Sequence, residues 1–460
     1  MRWTIILLTF ISFAPCVHAQ TKKLNLIVIT TDDQARWSLG CYGNKESKTP
    51  NMDRLAKDGA RFVNAFTATP VCSPSRVSFL TGKYGTQVKI TDWINPKEAE
   101  GGLGIPKDAI TWMSVLQRAG YRTGLIGKWH LGALPQFHPT KHGFDHFMGF
   151  LGGGNTPMNP TLEIDGKEQK LKGSLPDLLT DNALEFVKKN KDGPFALMLH
   201  FREPHAPYAP TPDVDAAPFK NLDPTVPTFP GLNVKRAKQL TRDYYASVHS
   251  VDRNLGRLLE LLDELGLRDN TIIVFTSDHG YMIGHHGLWH KGNATWLVEG
   301  REKERRPNMF DHALQVPLIV RWPGVAKGGS QRHELVSNID TFASALGMLQ
   351  VQVPEGYKQQ GADFAPLLRG KTVEWRDAVF AQYDPHNGLD AAMRSIRTPR
   401  WHLVRQYKKN GQPDELFDLQ EDPEELRNRY DDAKLREVRD DLQRRLMEWM
   451  RSVGDPLIRP

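Results

Sequence analysis

Apolar and polar positions divide the chain into two textures. Leu24 to Thr30 is a continuous apolar, β-branched run, the pattern of a strand buried on both faces of a parallel sheet. Phe195 to Phe201 and Thr271 to Thr276 repeat it, and Pro317 to Trp322 is a fourth. Helical stretches lie between them. Thr49-Pro50 places a cap before a proline at the first helical position and opens a helix through Leu55. Lys238 to Leu265 carries Leu255, Leu258, Leu259, Leu262 and Leu265 at helical spacing. Strands alternating with helices predict an α/β domain with a mainly parallel central sheet flanked by helices. Such sheets gather functional residues at the carboxyl ends of their strands. From about Val351 the pattern changes to short strand-like pieces at Ala378 to Tyr383, Ala392 to Ile396 and Trp401 to Val404, closed by an amphipathic helix over Ala433 to Met450. This predicts a smaller α+β C-terminal subdomain, residues 351–460, behind a catalytic domain of residues 20–350.

The first nineteen residues read as a secretory signal. Arg2 gives a positive start, Ile5 to Phe13 an apolar stretch, and Val17-His18-Ala19 a small-residue cleavage site. The stretch is too short to span a bilayer, and no later segment approaches a membrane span. A lipid anchor at Cys16 is the alternative, which Pro15 suits poorly. The expectation is an exported protein, periplasmic or secreted. Removing the signal leaves only Cys41 and Cys72, either one disulfide or two thiols. The net charge of +6 is a mild basic excess that suits an anionic substrate. No nucleic-acid partner is expected.

Four clusters carry candidate chemistry. Thr30-Thr31-Asp32-Asp33 and Thr276-Ser277-Asp278-His279-Gly280 each follow a buried strand. Together they offer three carboxylates and an imidazole, mostly oxygen ligands of the kind that hold calcium or magnesium. Taken singly, the acids also read as turn or capping residues and His279 as a structural hydrogen-bonding histidine. Val71-Cys72-Ser73-Pro74-Ser75-Arg76 places a cysteine at a helix start, with Arg76 one turn along on the same face. A basic set completes the group: Gly127-Lys128-Trp129-His130 in a glycine-flanked turn, His200 and His205 after a strand, and Lys291 after Trp289-His290. Ammonium groups clamp oxyanions and imidazoles move protons, as ester hydrolysis requires.

In this order the motifs resemble the formylglycine-dependent (type I) sulfatases of the alkaline-phosphatase-like superfamily, over nearly the whole mature chain. The Cys-x-Pro-Ser-Arg element at Cys72 to Arg76 is the most specific, and Glu415 to Leu419 with Glu421-Asp422-Pro423 resembles the family's second subdomain. The resemblance implies that a maturation enzyme oxidises Cys72 to formylglycine, whose hydrate attacks sulfur. It implies one Ca2+, with Mg2+ second, held by Asp32, Asp33, Asp278, His279 and the modified Cys72; many relatives carry Asn where His279 stands. Arg76 would stabilise the formylglycine, Lys128, Lys291 and His205 would hold sulfate oxygens, and His130 would act as general base. His205 is also a candidate to protonate the leaving alcohol.

The implied substrate is a sulfated poly- or oligosaccharide of the kind bacterial carbohydrate sulfatases degrade. Arg202, Trp289, His290 and His138 are candidate sugar contacts. The loops expected around the leaving group are His138 to Asp145, Gly152-Gly153-Gly154, His286 to Arg306 and Asp384 to Asn387. Arg301 to Arg306 otherwise reads as a solvated patch. Two other readings stay open: phosphoryl chemistry, since phosphonate monoester and phosphodiester hydrolases share this fold and sometimes this cysteine while phosphomonoesterases usually use two zinc ions, and a non-enzymatic binder of sulfated glycans with an unmodified Cys72.

Overall fold

The computed structural model describes residues 23–408 and 411–458. The expected signal segment and Cys16 lie outside the described residues. The four strands read from the apolar runs are present, within a ten-stranded mixed sheet. Its strands in chain order are β1 (Asn25–Thr31), β2 (Ala60–Phe62), β3 (Arg122–Lys128), β4 (His146–Phe150), β5 (Thr161–Ile164), β6 (Lys167–Lys170), β7 (Phe195–His200), β8 (Thr271–Ser277), β9 (Leu318–Arg321) and β10 (Ser330–Arg332). They lie in the order β10-β2-β9-β8-β1-β7-β3-β4-β5-β6. The middle five, β8 to β4, are parallel. The fourth apolar run, β9, pairs antiparallel with β8, which shows that an apolar run reports burial and not direction.

Alternate residues of the central strands enter separate cores. Ile27, Ile29, Leu197, Leu199, Ile273 and Phe275 face α3 (Leu175–Asn190) and α4 (Val234–Glu264). Leu26, Val28, Ala196, Met198, Ile272 and Val274 face α2 (Cys72–Thr81) and its neighbours. The period of two inherent in a strand thus gives helices on both faces of the sheet. The helix opened by Thr49-Pro50 is α1 (Pro50–Asp58), with Thr49 at the N-cap position as expected, but the threonine side chain makes no capping bond. Asp252 of α4 instead accepts from the backbone amides of Asn51 and Met52, so one helix caps another.

The segment read as a turn at Gly127 is the end of β3. Gly127 has φ of +110°, and a Cβ there would lie 1.9 Å from the His200 carbonyl oxygen. Beyond Val351, β11 (Val379–Tyr383), β12 (Met393–Arg397), β13 (Trp401–Gln406) and β14 (Glu415–Asp418) form an antiparallel sheet. One face packs on α5 (Arg436–Ser452) through Leu442, Leu446 and Met450, in a cluster that also holds Ala68 and Tyr84 near α2. Cys41 and Cys72 are both free thiols.

Replacing Gly127 by Ala should cost roughly 2–4 kcal/mol, from overpacking plus a disfavoured φ. Urea unfolding measures this, and a loss below about 0.5 kcal/mol would mean that the β3–β7 contact relaxes freely.

Candidate active site

Four parallel strands deliver the site at their carboxyl ends. In register, Thr31 of β1 lies beside Ser277 of β8, and Thr30 beside His200 of β7, which neighbours Gly127 of β3. The residues that follow therefore converge: Asp32 and Asp33, Asp278 and His279, His205, and Lys128 to His130. Backbone bonds hold the turns, with Asp278 N donating to Thr31 O at 3.0 Å and Phe201 N to Thr30 O at 2.9 Å. The Tyr244 hydroxyl donates to Asp33 O at 2.7 Å and accepts from Ala35 N at 2.9 Å. Asp33, His130 and His290 all have left-handed φ, of 68°, 62° and 87°. Such strain in non-glycine residues is held only where the surroundings over-determine it.

Cys72 is the first residue of α2. Its Sγ lies 3.0 Å from Lys291 Nζ and 3.5 Å from both Asp32 Oδ1 and His279 Nε2. Lys128 pairs with Asp32, and Lys291 with Asp33 at 2.6 Å. One turn along α2, Arg76 sets Nε and Nη2 each 3.0 Å from Asp278 Oδ2, while Nη1 donates to Lys128 O at 3.2 Å. All these side chains are buried. Three carboxylates and three cations thus balance in a largely buried nest.

Electrostatics follow from that balance. Burial alone would raise Asp32, yet Lys128, His205, Lys291 and Arg76 together hold it well below the usual carboxylate range. Burial lifts Asp33 to about 7 despite Lys291, and Asp32 adds to the rise. Burial and Asp32 oppose ionisation of Cys72, but Lys128 and Lys291 outweigh them and lower the thiol. His130 is held neutral by burial and by Lys128. Its Nε2 lies 3.0 Å from the Ile94 carbonyl oxygen, which can only accept, so Nε2 carries the proton. Nδ1 is then the basic nitrogen, buried without a partner.

The nest can hold a divalent cation. Ligand atoms of Asp32, Cys72, Asp278 and His279 all lie within 4.8 Å of one another, as do those of Asp32, Asp33, Cys72 and His205. His279 Nε2 faces one oxygen each of Asp278, Asp33 and Asp32, at 3.3, 3.4 and 3.8 Å. His279 Nδ1 donates to the Gly280 carbonyl oxygen at 2.9 Å, so a neutral ring turns a bare Nε2 toward these carboxylates, an all-acceptor set that a divalent cation would reconcile.

A cavity of about 580 Å³ opens on Cys72, Asp33, His130, His205, Lys291 and His290. Its outer wall includes Trp93, Glu100, Gly152 to Gly154, Asn293 and Arg305. Of the expected sugar contacts, His290 alone lines it. Arg202 is buried with its guanidinium on the Pro207 carbonyl oxygen, and Trp289 is stacked on His290 with Arg236 over its ring. Neither reaches the cavity, because each meets a closer partner. His138 pairs with Glu163 away from it. The patch at 301–306 is more than a solvated loop: Arg305 lines the cavity and Arg306 pairs with Glu415 at 2.6 Å. Gly152 to Gly154, and Asn293 and Arg305 within the loop His286 to Arg306, line the cavity as expected, whereas sequence reading missed Trp93 and Glu100, which belong to no motif. It also missed Tyr208, Tyr244 and Tyr281, although Tyr281 directly follows the Ser-Asp-His-Gly element.

Comparison with known proteins agrees with this geometry. The sulfatase family model matches residues 24–351, and a model of the C-terminal part of N-sulphoglucosamine sulphohydrolase matches 304–452. An N-acetylglucosamine-6-O-sulfatase of Bacteroides thetaiotaomicron is 29% identical over 97% of this chain and 90% of its own. The human N-acetylgalactosamine-6-sulfatase is 31% identical over 76% of this chain and 67% of its own. A solved structure of a protein with its substrate D-glucosamine-2-N,6-O-disulfate superposes with a TM-score of 0.83 at 27% identity, covering 95% of this chain and all of that one. The architecture is the alkaline-phosphatase-like α/β fold.

Chelation should lower the melting temperature by several degrees and added divalent cation should restore it, since a ligand at 100 times its Kd adds about 2.7 kcal/mol. Differential scanning calorimetry decides this; a melting temperature indifferent to chelator would mean the nest holds no cation.

Proposed function

The chain belongs to the sulfatase family and is a sulfuric ester hydrolase, and from that premise we propose that it desulfates poly- or oligosaccharides with a formylglycine made from Cys72. The observation that carries this is the place of Cys72, at the head of a helix with Lys291 Nζ 3.0 Å from its sulfur. Hydrated formylglycine would supply one hydroxyl to attack sulfur and displace the alcohol, and a second whose deprotonation would expel sulfate from the first oxygen and restore the aldehyde. A maturation enzyme must make it, and the thiol lies where such an aldehyde would face the cavity.

The chain's own residues supply the rest. Lys128 and Lys291 hold the sulfate oxygens and offset their charge, and Arg76 orients the head of α2 through Asp278 and the hydroxyls at position 72. His130, neutral and with Nδ1 bare, takes the proton from the second hydroxyl. His205 donates from Nδ1 to the Ala206 carbonyl oxygen at 2.7 Å, so Nε2 would hold a sulfate oxygen or protonate the leaving alcohol only as the imidazolium. Asp32, Asp33, Asp278, His279 and the modified Cys72 would hold Ca2+, with Mg2+ second, which would supply Lewis-acid chemistry beside position 72. The two possible ligand groups around Cys72 share Asp32 and Cys72, which supports one ion over the paired zinc of phosphomonoesterases.

A saccharide is supported by the relatives' names and by the wall, where Glu100, Asn293, His290 and Arg305 offer donors and acceptors beside Trp93. Export to the periplasm or beyond suits such a polymer-derived substrate.

Mass spectrometry of the peptide holding Cys72 should show a loss of about 18 Da, the mark of thiol-to-aldehyde conversion. Cys72→Ala should fold and release no sulfate; full turnover in that variant would end this reading. On a panel of defined sulfated oligosaccharides, kcat/KM should exceed that for small aryl sulfates by at least about 100-fold, nearly 3 kcal/mol of leaving-group recognition. Equal values for both classes would mean the wall does not read a sugar.

A further inference from the structure

His290 ends the short strand Leu288–His290 and precedes Lys291. Its ring lines the cavity, and its Nδ1 lies 3.1 Å from the Tyr281 hydroxyl. Tyr281 and Tyr208 join hydroxyl to hydroxyl at 2.7 Å, and Trp289 Nε1 donates to the Tyr208 hydroxyl at 2.9 Å. The direction of this chain is set at its head. Indole nitrogen can only donate, so the Tyr208 oxygen accepts. Tyr208 is buried, and its own proton has one acceptor in reach, the Tyr281 oxygen. The Tyr281 proton then goes to His290 Nδ1, and the ring hydrogen must sit on Nε2. The reverse arrangement, Nδ1–H donating to Tyr281, would strand the Tyr208 proton in a buried site. Nε2 has no partner among the described residues.

We propose that His290 is a specificity-determining residue that offers a fixed Nε2–H donor to an oxygen acceptor on the saccharide unit bearing the sulfate, with Trp289, Tyr208 and Tyr281 as positioning residues that set this tautomer. Two further observations agree. Burial, with Lys291 beside it, pulls His290 down to about 3, so the ring is a neutral donor at any working pH and not a proton source for the leaving group. Trp289 stacks on it at 4.0 Å and fixes its plane. This gives Trp289, which does not line the cavity, a role that direct sugar contact would not, and the strained φ of His290 a purpose. The acceptor rests on the saccharide reading above; the tautomer does not.

The test uses the mature full-length protein labelled with 15N-histidine, with the His290 signals identified by their loss in His290→Gln. Nitrogen shifts should show His290 Nδ1 bare and Nε2 protonated, unchanged from pH 5 to 8. Tyr281→Phe should mix the tautomers and raise KM for the best sulfated saccharide roughly 5- to 10-fold, one lost hydrogen bond, at constant kcat. Aryl sulfate kinetics should stay within about twofold, because the leaving group then offers no such acceptor. Should Tyr281→Phe fold poorly through the stranded Tyr208 proton, the double variant Tyr208→Phe/Tyr281→Phe removes both hydroxyls and carries the same expectation. Nδ1–H in the wild type overturns the inference, as does an unchanged saccharide KM once the tautomer has mixed. A wild type that cleaves no saccharide sinks the substrate reading instead, while the nitrogen shifts still report the tautomer.

Discussion

Compensation of buried charge is the constraint on which the rest of this structure depends. Asp32, Asp33 and Asp278 lie out of water at the ends of two adjacent strands, a placement that is ruinous for unpaired carboxylates. Lys128, Lys291 and Arg76 answer them, and each comes from a different element: the end of β3, the segment after a short strand, and the first turn of α2. The ion pairs therefore tie together the elements that converge on Cys72.

Bringing them together costs backbone freedom. Gly127 lets β3 close on β7, and a Cβ on Gly149 of β4 would lie 2.0 Å from the Gly127 carbonyl oxygen, so two glycines sit face to face where Lys128 leaves the sheet. Asp33, His130 and His290 take left-handed φ without glycine's licence. Around them the tyrosine layer supplies the rigidity: Tyr244 and Tyr281 stack at 5.6 Å, one pinned to the Asp33 backbone and the other to His290. A single buried aromatic pair thus connects the acidic nest to the mouth of the cavity.

The C-terminal sheet contributes to the same cavity without entering the chemistry. Asp92 accepts from the backbone amides of His386 and Asn387 and from the Tyr383 hydroxyl, and Asn387 returns a bond to the Trp93 carbonyl oxygen. Arg305 donates to the Asn387 carbonyl oxygen at 3.0 Å. Trp93 and Arg305, both on the cavity wall, are therefore set in place by a loop that follows β11. Behind it, fully buried Arg394 pairs with Asp384 and Asp455 and anchors the loop's base. The shape of the cavity wall is in this sense a property of how the two sheets dock.

By itself the sequence determined the central strands, the long helix over Val234–Glu264 and the nest of reactive residues. Strands buried on both faces leave an unbroken apolar run, and a motif at a strand's carboxyl end keeps its spacing because the sheet edge demands it. The direction of β9, the strand character of β3 and the cap of α1 were decided by tertiary structure: an apolar run is silent on direction, Gly127 mimics a turn, and Asp252 caps from 200 residues away. The same holds for the wall of the cavity. Arg202 and Trp289 stand beside motifs yet turn to nearer partners, whereas Trp93 reaches the cavity from a segment with no periodicity to read. Contacts made across long sequence separations leave no local pattern, so which side chain lines the cavity was decided only when the sheets and loops packed.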